Sequence, residues 1–557
     1  MYISNAIQLV ESYVLVLCTL LHGIQISQSY SIKQNTSGLC TPVGVYKTKD
    51  HIRHGFAINE SSGQPYELGA TLLTTPLFYL NDPLHVGHAY TLVSADAIKK
   101  YYKLLGRTIL ILSGTDEHGT KIANAAQTNG EKPEIFIERM RQHYTDVYEA
   151  YDVSVDINVH TSLEQHKEKV KKTFGYLLEK GDIYEGVHKG YFSPTEETYY
   201  TEFQLINGKS PLGFDVYPVA EKAYFFRLSK YKDALLQLIK REGFIVPKER
   251  QNEAIGLLSG NLPDIAITRS NTTWGVPVGQ PGFEGHTIYV WLDALLGYCI
   301  DRNQYGVGTE TLMLFGKDIL RFMTLVWPAL LMALEMPMPQ QMVCHGWLMS
   351  NDEKISKSKG DKVFALPPIG TSDVSRFVLM NLGAFGEDIQ YNPKRVEDMK
   401  NIVRDKYANL TYRLTGMIDK RGILEINHRD TECINHFVEG ITKKWECLQN
   451  IMEHHRIDKY VNEVTEVAGC INSYITHKQV WDLHDEDEFQ SHALAICQSL
   501  LVLSAYIYPI MPQLTRMNIE RLQPEINGTP IKISTMAKLL DTLHMVDFRP
   551  QHLCPLT

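Results

Sequence analysis

The chain is 557 residues long, more than one hydrophobic core normally serves, so two or three domains are expected. Its 44% hydrophobic and 21% charged residues suit a folded soluble protein and argue against a disordered or fibrous one. A net charge of −9 argues against a protein that coats nucleic acid through one large basic field, while leaving room for a local basic surface. Nine cysteines, none in a CxxC pair, point to free, mostly buried thiols in a reducing compartment rather than a disulfide framework or zinc ribbon.

Residues 1–66 read as an N-terminal extension. Tyr13–Leu21 is apolar but too short for a membrane span, and no positive charge stands ahead of Lys33 as a secretory signal requires. The segment is poor in acid and rich in serine, as organellar presequences are, although its first arginine is Arg53. From Leu68 the text becomes regular. "LGATLLTTPLFYL" is a β-prone run ended by the turn residues Asn81, Asp82 and Pro83. Leu92, Val93, Asp96, Ala97, Tyr101 and Leu104 then follow at helical spacing, stopped by Gly106. "TILILS" is a second short strand, followed at once by "GTDEHG". Strand, helix, strand implies an α/β fold with a parallel sheet, whose ligands collect at the carboxyl ends of the strands.

Residues 182–251 interrupt this alternation with shorter, mixed elements and read as a connective insertion. The β pattern resumes with "DIAITR", "TIYVWLDALLGY", "LMLFGKDIL" and "QMVCHGWLM", and strands end after about Ser375. Amphipathic helices follow. The expected organisation is an extension (1–66), a catalytic α/β domain with its insertion (67–375), an α-helical domain (376–535) and a tail (536–557).

Two segments carry the chemistry. "HVGH" places His85 and His88 around Gly87 at a strand-to-helix turn, where a phosphate chain could approach the backbone and imidazoles could donate to phosphoryl oxygens. Two histidines three apart are also the spacing of a helical metal pair or a structural pair, and the motif alone does not separate these readings. "KISKSKG", Lys354–Gly360, is rich in lysine, serine and glycine, which suits a loop that closes on a triphosphate and neutralises developing charge.

Together these stretches resemble the methionyl-tRNA synthetase family of class I aminoacyl-tRNA synthetases. "HVGH" is similar to the first class I motif and "KISKS" to the second. "TTPLFYLNDPLHVGHAYT", "GTDEHG", "YVWLDALLGY", "GKDILRF" and "HGWLMSNDEKISKSKG" occur in that family's order, over residues 68–520. The resemblance implies a Rossmann-like parallel-sheet catalytic domain followed by an α-helical anticodon-binding domain. It implies that His85, His88 and Lys357 serve catalysis, and that ATP is bound by His85, Gly87, His88, Gly316, Lys317, Asp318, Lys354 and Lys357. Methionine would be bound by Asp116, through its ammonium, and by Leu77, Tyr79, Trp291, Ala294, Tyr298, Ile319, Phe322 and Met323. Asn409, Arg413 and Trp481 would read the anticodon. The implied substrates are L-methionine, ATP with Mg²⁺, and tRNA(Met).

The chain departs from the family in two places. "YFSPTEETYYTEFQLINGKSPLGFDV" has no cysteine where many relatives carry zinc knuckles, so no structural zinc and no other metal site are expected. This resembles the mitochondrial type, as does the short C-terminus, which implies a monomer with no membrane association. Met323 stands where the family usually has histidine. Two other readings compete: a synthetase for an aliphatic amino acid, whose editing insertion has no room here, and a tRNA-binding relative with weakened catalysis, against which the intact His85, His88 and Lys357 stand. A metal module built on His85 and His88 lacks further ligands at suitable spacing.

Overall fold

The computed structural model describes residues 69–522, apart from 197, 201, 271, 273, 351–352, 356–362 and 422–431. The expected extension, the tail and Lys357 lie outside the described residues. Six strands form one sheet: β1 (Ala70–Tyr79), β2 (Ile109–Asp116), β3 (Ile157–His160), β4 (Ile245–Val246), β5 (Val307–Gly316) and β6 (Gln341–His345). Their order across the sheet is β3-β2-β1-β5-β6-β4, and every pairing is parallel. The strands are continuous apolar runs, with Leu72, Leu73, Ile111, Leu112, Leu314, Phe315, Val343 and Cys344 buried. That pattern belongs to strands covered by helices on both faces.

The order reverses between β1 and β5, and one proline opens the crevice there. β1 pairs with β5 only as far as Thr74 opposite Met313, although β5 continues to Gly316. Pro76 has no N–H to donate, and the β1–β2 register shifts between Thr74 and Leu77. The carboxyl ends of β1 and β5 therefore part, leaving a gap at the switch point where ligands of such sheets sit.

The inserted antiparallel sheet consists of Thr198–Tyr200, Ile183–Ser193, Tyr217–Phe226 and Ile265–Ala266, in that order. It thus reaches beyond residue 251, while β4, inside the 182–251 span, returns to the main sheet beside β6. A two-residue strand carries too little pattern to be seen in sequence. The same is true of Ile389–Gln390, which pairs with Leu348–Met349 after the strands were expected to end at Ser375.

Beyond Gln390 the described elements are all helical. The long ones are Asn409–Arg421, Glu432–Glu453, Ile457–His477, Glu486–Ile507 and Pro512–Leu522. Glu486–Ile507 is apolar enough to span a membrane by length and composition, but 78% of its apolar window is buried inside the protein. The bundle shares its core with helix α1 (Val86–Leu104): Tyr101 of α1 meets Tyr460 edge-on at 6.2 Å and Trp445 at 6.1 Å.

No break in structure separates residues 375 and 376, because helix Ser372–Asn381 runs through them. Arg376, fully buried, pairs with Asp96 of α1 at 2.7 Å. It also donates to the carbonyls of Pro509 (2.7 Å), Ile510 (2.8 Å), Tyr151 (3.2 Å) and Asp152 (3.3 Å). Burial pushes the Asp96 carboxyl up, but the charges of Lys100 and Arg376 outweigh it and hold the group down, at about 2. Among the described cysteines, Cys344 and Cys497 are buried, Cys299 is half-buried, and Cys447 and Cys470 are exposed.

Candidate active site

The gap at the switch point is a cleft of about 350 Å³. Parallel register brings its chemistry together. Tyr79 and Asp116 are partners at the ends of β1 and β2, and Gly316 and His345 are partners at the ends of β5 and β6.

Between these pairs the chain turns into α1, and the two histidines build the turn. His85 is the residue capping α1. Its Nδ1 accepts from the Gly87 N–H at 3.1 Å, and the His88 Nδ1 accepts from the His85 N–H at 3.0 Å. This is the reciprocal logic of a capping box with imidazoles in place of hydroxyl and carboxylate. Because each Nδ1 receives a proton, the neutral rings carry their own on Nε2. The rings lie with centroids 3.7 Å apart and planes tilted by 32°, and both line the cleft, so the cap fixes two N–H donors at a helix N-terminus. A Cβ on Gly87 would lie 2.9 Å from His85 Cε1. The glycine therefore makes room first for the His85 ring, a reason that sequence reasoning did not supply.

The turn after β2 is fixed from behind. Glu117 is fully buried and accepts from Arg141 Nε and Nη2, each at 2.6 Å, and from the hydroxyls of Thr115 and Ser162 at 2.5 Å. Burial would raise its carboxyl, but these bonds, with Arg141 foremost, hold it well below the usual carboxylate range. His118 Nδ1 and His166 Nε2 both meet Asp293, at 2.6 and 2.7 Å. These bonds outweigh burial and keep the Asp293 carboxyl low. The ties hold "GTDEHG", and with it Asp116, against the short helix Val290–Leu295 that carries Trp291 and Ala294.

One end of the cleft is apolar. Leu77, Trp291, Ala294, Leu295, Tyr298, Ile319 and Met323 line it. Tyr298 is buried and its hydroxyl donates to Thr75 O at 3.1 Å. Phe322 is not among the lining side chains and stacks on Trp291, with centroids 3.7 Å apart and planes 2° apart. Met323 begins its approach from a π-helical turn, Phe322–Val326, which sequence periodicity gave no sign of; such turns recur at functional sites.

The other end is charged. Gly316, Asp318 and Lys354 line it beside Thr91, His345, Gly346 and Trp347. Lys354 pairs with Asp318 at 3.3 Å. Lys317 does not line the cleft; it pairs with Asp388 at 2.6 Å. Sequence reasoning quoted "HGWLM" but gave His345 and Trp347 no role. His345 is buried, its ring shared between Thr91 Oγ1 (2.8 Å at Nε2) and Gly346 O (2.7 Å at Nδ1), and burial lowers its pKa. Its position as the last residue of a strand adjoining the switch point was the available signal.

Far from the cleft, Arg413 lies over Trp481, 5.9 Å from guanidinium carbon to ring centroid, and contacts Asn472 at 3.4 Å. Trp481 is 50% exposed. Asn409, at the start of the same helix as Arg413, reaches Asp405 at 3.5 Å.

A parallel sheet split at its switch point, a histidine-capped helix at the split and a lysine-bearing strand pair thus meet in one cleft. The chain matches the family described as tRNA synthetases class I (M) over residues 71–214 and 203–415. It is 36% identical over 482 residues to the methionine–tRNA ligase of Halalkalibacterium halodurans, covering 81% of this chain and 73% of that protein. It is 32% identical over 480 residues to that of Thermotoga maritima, covering 81% and 75%. The solved Mycobacterium tuberculosis methionyl-tRNA synthetase in complex with methionyl-adenylate superimposes with a TM-score of 0.77 at 27% identity, covering 87% of this chain and 99% of that one. The chain belongs to the methionyl-tRNA synthetase family.

Proposed function

We propose that the protein activates L-methionine with ATP and transfers it to tRNA(Met), acting as a monomer in mitochondrial translation. The observation that carries the reading is one cleft with two unlike ends, apolar at Trp291, Tyr298 and Met323 and donor-rich at His85, His88 and Lys354, with Asp116 on its wall. Methionine's unbranched, polarizable side chain fits aromatic and thioether walls. Asp116 takes its ammonium, with Leu77, Tyr79, Ala294 and Ile319 around the substrate and Phe322 stacked on Trp291. This orientation places the carboxylate toward the histidines.

A carboxylate oxygen then attacks the α-phosphorus of ATP, forming methionyl-adenylate as the bond to pyrophosphate breaks. His85 and His88 donate through Nε2 to the phosphates, beside the backbone at Gly87 and Gly316; Lys354 and Lys357 offset the charge that develops, and Asp318 steers Lys354. Lys317 acts one step removed, through its neighbours. Mg²⁺ belongs to the substrate, carried on the phosphates of ATP; among the described residues no three His, Cys, Asp or Glu converge as ligands. The 2′-hydroxyl of the terminal tRNA adenosine next attacks the activated carbonyl, and AMP leaves. Asn409, Arg413 and Trp481 read the anticodon by stacking and edge contacts.

Methionine-dependent exchange of pyrophosphate into ATP tests the activity across a panel of amino acids. Methionine is expected to lead the panel, and no exchange with methionine overturns the reading. Location is tested by fusing the first seventy residues to a fluorescent protein, where failure to reach mitochondria rejects that part. Light scattering of the purified protein checks for the mass of one chain.

A further inference from the structure

At the charged end of the cleft, two lysines share one indole. Lys317 Nζ lies 4.0 Å and Lys354 Nζ 5.0 Å from the centroid of the Trp347 ring. Each ammonium is also held by its own carboxylate, Lys317 by Asp388 at 2.6 Å and Lys354 by Asp318 at 3.3 Å. Asp388 does a second job with its other oxygen, accepting the Trp347 backbone N–H at 3.0 Å. The indole is thus fixed at its backbone by the same carboxylate that fixes Lys317.

Trp347 also sits at the root of the hairpin that leads into "KISKS". Leu348–Ser350 pairs antiparallel with Glu353–Lys354, Met349 opposite Lys354, and Ile355 N donates to Leu348 O at 2.9 Å. Trp347, Lys354 and Ile355 all line the cleft. Lys354 is therefore the point where the hairpin's charge enters the site, and the indole is the surface it rests on.

We propose that Trp347 is a positioning residue for the phosphate chain of ATP, holding the Lys317 and Lys354 ammonium groups together at the mouth of the cleft. Each ammonium lies within cation–π range of the same ring, so the indole attracts both without binding either by a directional bond. A lysine resting on a π face moves from Asp318 to a phosphate by a small swing, with its attraction to the ring kept on the way. An aliphatic residue at 347 leaves the lysines to separate into water. The inference rests on the reading of the cleft as an ATP site.

The test compares Trp347→Leu with Trp347→Phe. ATP–Mg²⁺ binding is measured by titration calorimetry, and exchange rates are measured against ATP and against methionine. Trp347→Leu is expected to raise the ATP Kd and the ATP KM about tenfold, with the methionine KM within about twofold of wild type. Trp347→Phe keeps a π face and is expected to recover most of the loss. The proposal is overturned if Trp347→Leu binds ATP as wild type does, if ATP and methionine affinity fall together, or if Phe does no better than Leu. Should Leu fail to fold, the Phe variant still decides: a tenfold loss of ATP affinity there overturns the proposal, and near wild-type affinity with selective sensitivity to Asp388→Asn in ATP binding sustains it. If wild type binds ATP yet shows no exchange with methionine, the proposed reaction falls while the calorimetry still reads Trp347.

Discussion

The histidine pair of α1 and the Asn409–Arg413–Trp481 group are both proposed to meet nucleotides, yet the protein holds them differently. His85 and His88 are tied to backbone at Nδ1 with their rings 3.7 Å apart, and His88 meets Phe78 edge-on at 5.3 Å. Their geometry is complete before anything binds. Trp481 is half exposed, and its described partner is a guanidinium 5.9 Å away. A group that must meet charge forming in a transition state gains from being fixed, since reorganisation at that moment costs rate. A group that stacks on bases of a flexible loop gains from a free face, and the order is supplied when the RNA arrives.

That contrast can be broken by substitution. The largest effect is expected at His88. His88→Ala removes the Nε2 donor and is predicted to lower methionine-dependent exchange by about 10²–10³. His88→Gln, which keeps a donor near the Nε2 position but loses the acceptor for the His85 N–H, should fall between the two. If Gln and Ala prove equal, the fixed donor is not what matters. Next comes Trp481→Ala, expected to cost about 10–100-fold in the kcat/KM of tRNA charging through lost stacking. Exchange and melting temperature should stay at wild-type values, and a parallel loss of exchange would erase the contrast. The smallest effect is expected from Gly87→Ala. Its Cβ pushes the His85 ring out of its cap, costing about 1 kcal/mol in urea unfolding and about tenfold in exchange. Unchanged exchange with a displaced His85 would show that His88 suffices.

The segments legible in the sequence lie where a strand stops at turn residues. "NDPLHVGH" and "GTDEHG" announce themselves in that way, and the βαβ pattern was enough to point to a parallel sheet with the site at its carboxyl edge. Sequence patterns did not show what depends on pairing between distant strands. His345 gains its place only because β6 lies in register with Gly316 of β5, and Lys317 meets Asp388, seventy-one residues on. Likewise the stacking of Phe322 on Trp291 joins two residues thirty-one apart that sequence spacing does not pair. Local chemistry was readable; contacts between distant residues were not.

The seat of Arg376 limits how such a chain can be recombined. Its acceptors come from α1, from the 151–152 turn and from the 509–510 corner of the bundle, so three stretches far apart in sequence share one buried cation. A chimera that spliced a relative's helices onto this sheet would leave Asp96 to meet the Arg376 charge but would remove the Pro509 and Ile510 carbonyls, unless incoming carbonyls arrived at the same place, and each lost hydrogen bond to a charged group costs about 1.5–3 kcal/mol. The interchangeable piece is therefore smaller than the domain: exposed residues of the bundle such as Trp481 can change while the seam around Arg376 stays as it is.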